Sequence, residues 1–171
     1  VDSKGAFVEH GPFVTWTDKS EKKKLREGYS YNGKLHGILI VYGQKENKTM
    51  EVPIVHGKKR GIEKNWYESG KQQSEKAYYD GLLHGVSKFW YESGTRQGEV
   101  TFVNGKEQGK VILWNKKGDE SYIKNYNSGV LHGEFISYAD GIYPEIGKSA
   151  SGPVMLMQGK YENGKPVGTW K

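Results

Sequence analysis

The sequence predicts an all-β chain, an elongated and twisted antiparallel meander of tandem 24-residue β-hairpin repeats. Three observations carry that expectation. Glycine pairs recur every 24 residues, with first members at Gly33, Gly57, Gly81, Gly105 and Gly129 and second members at Gly37, Gly61, Gly85, Gly109 and Gly133. Five positions beyond the second glycine stands an aromatic residue: Trp16 (counted from Gly11), Tyr42, Trp66, Trp90, Trp114 and Tyr138. Several pairs open on Asn-Gly or Asp-Gly, the strongest short-range hairpin signal. A fixed period of this length means that each unit is one supersecondary element stacked on its neighbours.

Taken in order, the hairpin turns fall at "NGKLHG" (32–37), "DGLLHG" (80–85), "NGKEQG" (104–109) and "NGKPVG" (163–168). Three residues before the first glycine lies a second apolar column, Ile54, Tyr78, Phe102, Tyr126 and Tyr161, broken only at Ser30. Two columns per unit imply two strands per unit. A further turn follows each aromatic, in "YESGK" (67–71), "YESGT" (91–95) and "NKKGD" (115–119). The segments between turns are rich in Val, Ile, Tyr, Phe and Trp, as strands are. With about 4.8 Å between strands, each unit advances by about 10 Å, and roughly thirteen strands make a ribbon on the order of 60 Å. The whole of 1–171 reads as one repeat domain of about six to seven hairpins. One insertion interrupts it at roughly 141–158: the step from aromatic to next first glycine is 15 residues in regular units but 26 between Tyr138 and Gly164.

Composition agrees and excludes much. With 12 Tyr, 5 Trp and 5 Phe, rings supply most of the buried area, and 24 Gly supply the turns. The absence of Cys rules out disulfides, thiolate metal sites and a Cys nucleophile. No apolar run approaches the roughly 20 residues of a membrane-spanning helix. The first residue is Val1, which suits a processed or truncated N-terminus, and the composition favours an exported or cell-envelope location slightly over a cytoplasmic one. The net charge of +6 comes from 26 basic and 20 acidic side chains, mostly interleaved. Two basic runs stand out, and Lys22, Lys23, Lys24, Lys58, Lys59 and Arg60 are the candidates for an anionic surface. The first run (19–26) also suits the blunting of a sheet edge.

No catalytic constellation is present: there is no Gly-x-Ser-x-Gly, His-Glu-x-x-His, phosphate loop or dinucleotide fingerprint. The expectation is therefore no enzyme, no cofactor and no metal. His10, His36, His56, His84 and His132 each precede a glycine. A step of about 10 Å per unit sets them too far apart for a shared zinc, and hydrogen bonding to a neighbouring loop is the expected role. Rings beside the aromatic column point to the opposite face of a strand, which makes Tyr67, Phe89 and Tyr91 candidates for partner binding. Tyr143 and Pro144, in the insertion, join them because a loop that breaks a strict repeat is a place for specificity.

"YSYNGKLHG", "YYDGLLHG", "YNSGVLHG" and "YENGKPVGTW" resemble MORN-type repeats, specifically the variant group found in bacterial proteins that includes the YwqK-type antitoxin group. The resemblance runs from about Gly11 to Lys171. The Gly-x-Gly that follows His-Gly in ordinary MORN units is missing here, since Ile38 and Leu39 follow Gly37. What the resemblance implies is a non-enzymatic β-hairpin scaffold acting by protein or ligand contact. The strict repeat, the surplus of aromatic residues and the missing catalytic sets make the expected function protein–protein interaction, at the bacterial cell envelope. Binding of anionic lipid and neutralisation of a toxin are the alternatives, and nucleic acid is disfavoured as a partner.

Overall fold

The first glycine of each pair closes a two-residue turn. Asn32-Gly33, His56-Gly57, Asp80-Gly81, Asn104-Gly105, Ser128-Gly129 and Asn163-Gly164 hold both residues at φ between 49° and 86°. This is the type I′ geometry, whose twist matches that of the strands it joins. Gly fits the second position without a Cβ penalty, and Asn and Asp tolerate the first.

The computed structural model describes residues 10–17, 23–139 and 154–171. Among these there is no helix, and the chain divides into two units, Val1–Leu83 and His84–Lys171. Unit 1 contains β1 (Gly11–Trp16), β2 (Lys24–Tyr31), β3 (Lys34–Tyr42), β4 (Lys48–Val55), β5 (Lys58–Lys59), β6 (Gly61–Trp66), β7 (Gln72–Tyr79) and β8 (Leu82–Leu83). They pair in the order β1-β2-β3-β4-β6-β7, with β5 on β4 and β8 on β7. Unit 2 contains β9 (Gly85–Trp90), β10 (Arg96–Val103), β11 (Lys106–Glu107), β12 (Gly109–Trp114), β13 (Glu120–Asn127), β14 (Val130–Ala139), β15 (Val154–Glu162) and β16 (Lys165–Val167). Their order is β9-β10-β12-β13-β14-β15-β16, with β11 on β10. Within each unit every pairing is antiparallel, so the all-β meander of hairpins expected from the glycine period is the observed fold.

The second glycine has a different task from the first. In β2–β3 the pair Tyr29↔His36 is followed by Glu27↔Ile40, so two steps of one strand are matched by four of the other. The same shift separates Tyr126↔Leu131 from Lys124↔Phe135. Gly37 (φ 82°) and Gly133 (φ 101°) sit in these irregularities and take the backbone that an L-residue resists.

A second irregularity recurs beside each aromatic. One residue of the partner strand is skipped in the register: Leu25 opposite Thr15/Trp16, Thr49 opposite Val41/Tyr42, Gln73 opposite Asn65/Trp66, Gln97 opposite Phe89/Trp90 and Ser121 opposite Leu113/Trp114. Beyond it a three-residue loop turns the chain. The Tyr67 N–H donates to the Lys71 carbonyl at 2.9 Å and the Gly70 N–H to the Tyr67 carbonyl at 2.8 Å, with Gly70 in the left-handed region.

Consecutive hairpins are stitched through their turns. The N–H groups of Gly57, Gly81, Gly129 and Gly164 donate to the carbonyls of Leu35, Lys59, Glu107 and Leu131, at 2.8 to 2.9 Å. The apolar core is thin, with Val52 and Ile54 buried in unit 1 and Val111, Ile123 and Ala139 in unit 2. In unit 2 the C-terminal residues fold back onto β15 through paired bonds between Gln158 and Lys171. Trp170 then packs on Phe135 and Tyr161, with ring centroids 5.8 and 5.2 Å away. A Cβ on Gly159 would stand 2.3 Å from the Trp170 ring, so only glycine admits the indole there.

Candidate interaction groove

On one face of unit 2 the paired residues Phe89↔Gly98, Gly98↔Leu113 and Leu113↔Tyr122 form a row across β9, β10, β12 and β13. Residues at the place of Gly98 in other hairpins are Arg26, Met50, Ser74 and Tyr122. Glycine here leaves a notch between larger neighbours. The Leu113 side chain leans over it, with Cδ2 2.9 Å from where a Cβ would be.

The notch opens into a groove of about 380 Å³. Phe89, Tyr91, Trp114 and Tyr122 give it aromatic walls, Val100 and Leu113 add aliphatic surface, and Gln97 and Ser121 add polar groups. These last two are the skipped residues of their strands, so their backbone groups lie outside the neighbouring ladders. Tyr91 is fixed by its hydroxyl, which donates to the Trp114 carbonyl at 2.9 Å. The Arg96 guanidinium lies 5.2 Å from the Trp114 ring and pairs with Glu99 at 3.3 Å, while Lys124 Nζ is 4.8 Å from the Tyr122 ring.

Of the residues expected to meet a partner, Phe89 and Tyr91 come together in this groove, half-buried. Tyr67 belongs to unit 1 and is also half-buried, with its N–H held in the loop at 67–71. Tyr143 and Pro144 lie outside the described residues. The sequence reading missed Gly98, Gln97, Ser121 and Tyr122. Their signal is a glycine in a column of larger residues and a second column, 24 residues apart, of residues that fall out of register.

The basic candidates of unit 1 lie against intramolecular partners. Lys58 meets Asp80 at 2.8 Å, Lys59 bonds Glu63, and Arg60 donates to the Tyr79 hydroxyl at 3.2 Å and covers its ring. The Lys23 carbonyl accepts from the Thr17 N–H, and Lys22 lies outside the described residues. Lys24 bonds Glu27 at 2.9 Å beneath the Tyr42 ring, and Lys48 repeats the arrangement with Glu51 at 2.6 Å and the Trp66 ring. Hydrogen bonds from Tyr42 and Lys24 hold the Glu27 carboxyl below its usual range, and the same contacts raise both partners.

Glu63, 3 % exposed, is the one buried carboxylate among the described residues. Burial pushes its pKa up, but hydrogen bonds from Lys59 and Asn65, with the charges of Lys59 and Lys76, outweigh burial and hold it low.

Two of the histidines, His36 and His84, serve the stitching through their side chains. Nδ1 of His36 accepts from the His56 N–H at 3.4 Å and Nδ1 of His84 from the Asn104 N–H at 3.5 Å. Gln108 does the same for the Ser128 N–H at 3.0 Å. The His36 and His56 rings are 5.1 Å apart, closer than one repeat step, because His56 occupies a turn position and not the column of His36. A metal on Nε2 of His36 would place a proton on Nδ1 and oppose the His56 N–H.

A family model described as MORN repeat variant matches residues 83–104. The chain carries a MORN-variant repeat. The matched stretch covers β9, the skipped Gln97, β10 and the first residue of the next turn. The same turn and the same skipped residue recur in the hairpins on either side of this MORN-variant unit in sequence. A comparison with curated proteins finds no match.

Proposed function

We propose that the protein is a non-enzymatic scaffold that binds a segment of another protein in the aromatic groove of unit 2. The observation that carries the reading is the convergence of Phe89, Tyr91, Trp114 and Tyr122 around the missing side chain of Gly98. Aromatic anchors in a concave, mostly apolar site with a few polar groups are what peptide and protein recognition uses. MORN repeats are associated in general with protein or membrane binding, which supports the class. The lipid alternative draws less support, because Lys58, Lys59 and Arg60 already have partners within unit 1.

Selection of a random peptide library on the native protein, in parallel with the Phe89→Asn/Gly98→Ser variant, tests the reading. Enriched peptides should bind the native protein at least ten-fold tighter than the variant. Enrichment that is equal on both, or none on either, would sink it. Liposome flotation with anionic and neutral vesicles checks the alternative, which predicts retention by anionic vesicles only.

A further inference from the structure

We infer that the joint docking the turn at His56-Gly57 onto β3 is an acid-released catch, opened by a proton on Nδ1 of His36. The inference follows from where the second proton of that imidazole has to go.

Two bonds hold this turn. The Gly57 N–H donates to the Leu35 carbonyl at 2.8 Å, and the His56 N–H donates to Nδ1 of His36 at 3.4 Å. A neutral imidazole that accepts at Nδ1 carries its hydrogen on Nε2. The lone pair that holds the turn is therefore the only place left for a further proton. Once that proton is taken up, two N–H groups oppose each other and the bond is lost. Unit 2 builds the same joint with a different acceptor. There the Gly129 N–H donates to the Glu107 carbonyl at 2.9 Å, and the Ser128 N–H donates to Oε1 of Gln108 at 3.0 Å. An amide oxygen does not titrate. The two joints thus respond differently to acidification through the range of about pH 8 to 5 in which histidine changes charge.

The surroundings of His36, which is half-buried, act in the same direction. From β2 it faces Tyr29, its partner in the register, and the Tyr31 ring at 5.8 Å. His10, just before β1, packs on Tyr31 at 5.3 Å, and from the turn the His56 ring approaches His36 to 5.1 Å. Lys34 belongs to the same strand as His36, and Lys58, beyond the turn, is engaged by Asp80 at 2.8 Å. No carboxylate forms an ion pair with His10, His36 or His56 among the described residues. Acid therefore gathers like charge around Tyr31 and removes the acceptor at the same time. The joint is closed while His36 is neutral and opens as pH falls.

Amide hydrogen exchange on the nitrogen-15-labelled full chain, at about pH 7.5 and about pH 5.5, provides the test. Each rate is taken relative to its intrinsic value at that pH, with the ionisation of His56 itself included. Protection of the His56 amide should fall at least five-fold on acidification, and that of Ser128 less than two-fold. His36→Gln, which copies the acceptor of unit 2, should keep the His56 amide protected at both pH values. Ring nitrogen-15 spectra of the native chain at the higher pH should show His36 as the Nε2–H tautomer, a readout that does not depend on any variant. No fall at His56, an equal fall at Ser128, an acid loss that survives His36→Gln, or an Nδ1–H tautomer of His36 overturns the inference.

Discussion

Asn65 and Ser74 face each other across β6 and β7, and 24 residues later unit 2 puts Phe89 and Gly98 in the same two places. The first pair closes its gap with a hydrogen bond of 3.0 Å; the second leaves the notch from which the groove opens. The neighbouring positions change in parallel. Glu63 and Lys76 in unit 1, an ion pair of 3.9 Å, correspond to Ser87 and Val100 in unit 2. Turns, skipped residues and inter-hairpin bonds are the same in both units, so the hairpin backbone does not depend on what these inward positions carry. One unit uses that freedom to bury charge, and the other to leave aromatic surface open.

The largest expected effect lies on the charged side of the comparison. Replacing Glu63 with Gln strands Lys59 and Lys76. Breaking a buried pair costs about 3–5 kcal/mol, and partial exposure of both lysines reduces this to about 2 kcal/mol. Denaturant unfolding measures it. Because the carboxyl is held below its usual range, its contribution is complete above the ordinary carboxylate pKa and is lost as pH falls through the lower, folded-state value. The native protein should therefore lose more stability than Glu63→Gln on acidification through that window. Identical acid limbs would show that the lysines do not stabilise the carboxylate.

On the other side, the Ser87 hydroxyl is fully buried and has no hydrogen-bond partner among the described residues. Ser87→Ala removes an unsatisfied polar group and should stabilise the protein by about 0.5–1 kcal/mol, read as a rise in the denaturant midpoint. A fall would mean that the hydroxyl is bonded and that the two loci differ less than they look.

The smallest effect tests what the two units share. His84 accepts the bond that Gln108 accepts one hairpin later, so His84→Gln should change stability by less than about 0.5 kcal/mol, whereas His84→Leu should cost about 1 kcal/mol. Equal losses in thermal melts would place the importance of His84 elsewhere than in this acceptor.

The turns were legible because type I′ geometry demands two left-handed residues, and Asn-Gly and Asp-Gly advertise it. His56-Gly57 and Ser128-Gly129 carry weaker first residues, yet the period places them. The role of the second glycine was not legible, since a register shift inside a strand leaves no composition signal beyond glycine itself. The aromatic column reads as a packing ladder in sequence. In space, the Tyr42, Trp66 and Trp114 rings pack against Lys24, Lys48 and Arg96 from across their own type I′ turns, pairings that span 18 residues. The groove was half-visible: Phe89 and Tyr91 drew notice as rings off the column, while Gly98 and Tyr122 matter only once cross-strand register is known.

The skipped residue recurs at Leu25, Thr49, Gln73, Gln97 and Ser121, and then at Leu156, 35 residues on. Length in this chain is thus counted in whole hairpins. Excising 24 residues between equivalent points would rejoin matching halves and return every side chain to its own face, whereas excising 23 would turn each later residue over. A gene of this design can grow or shrink by duplication and loss of complete modules, and can absorb eleven extra residues before Leu156, without renegotiating the hydrogen bonds of the units that remain.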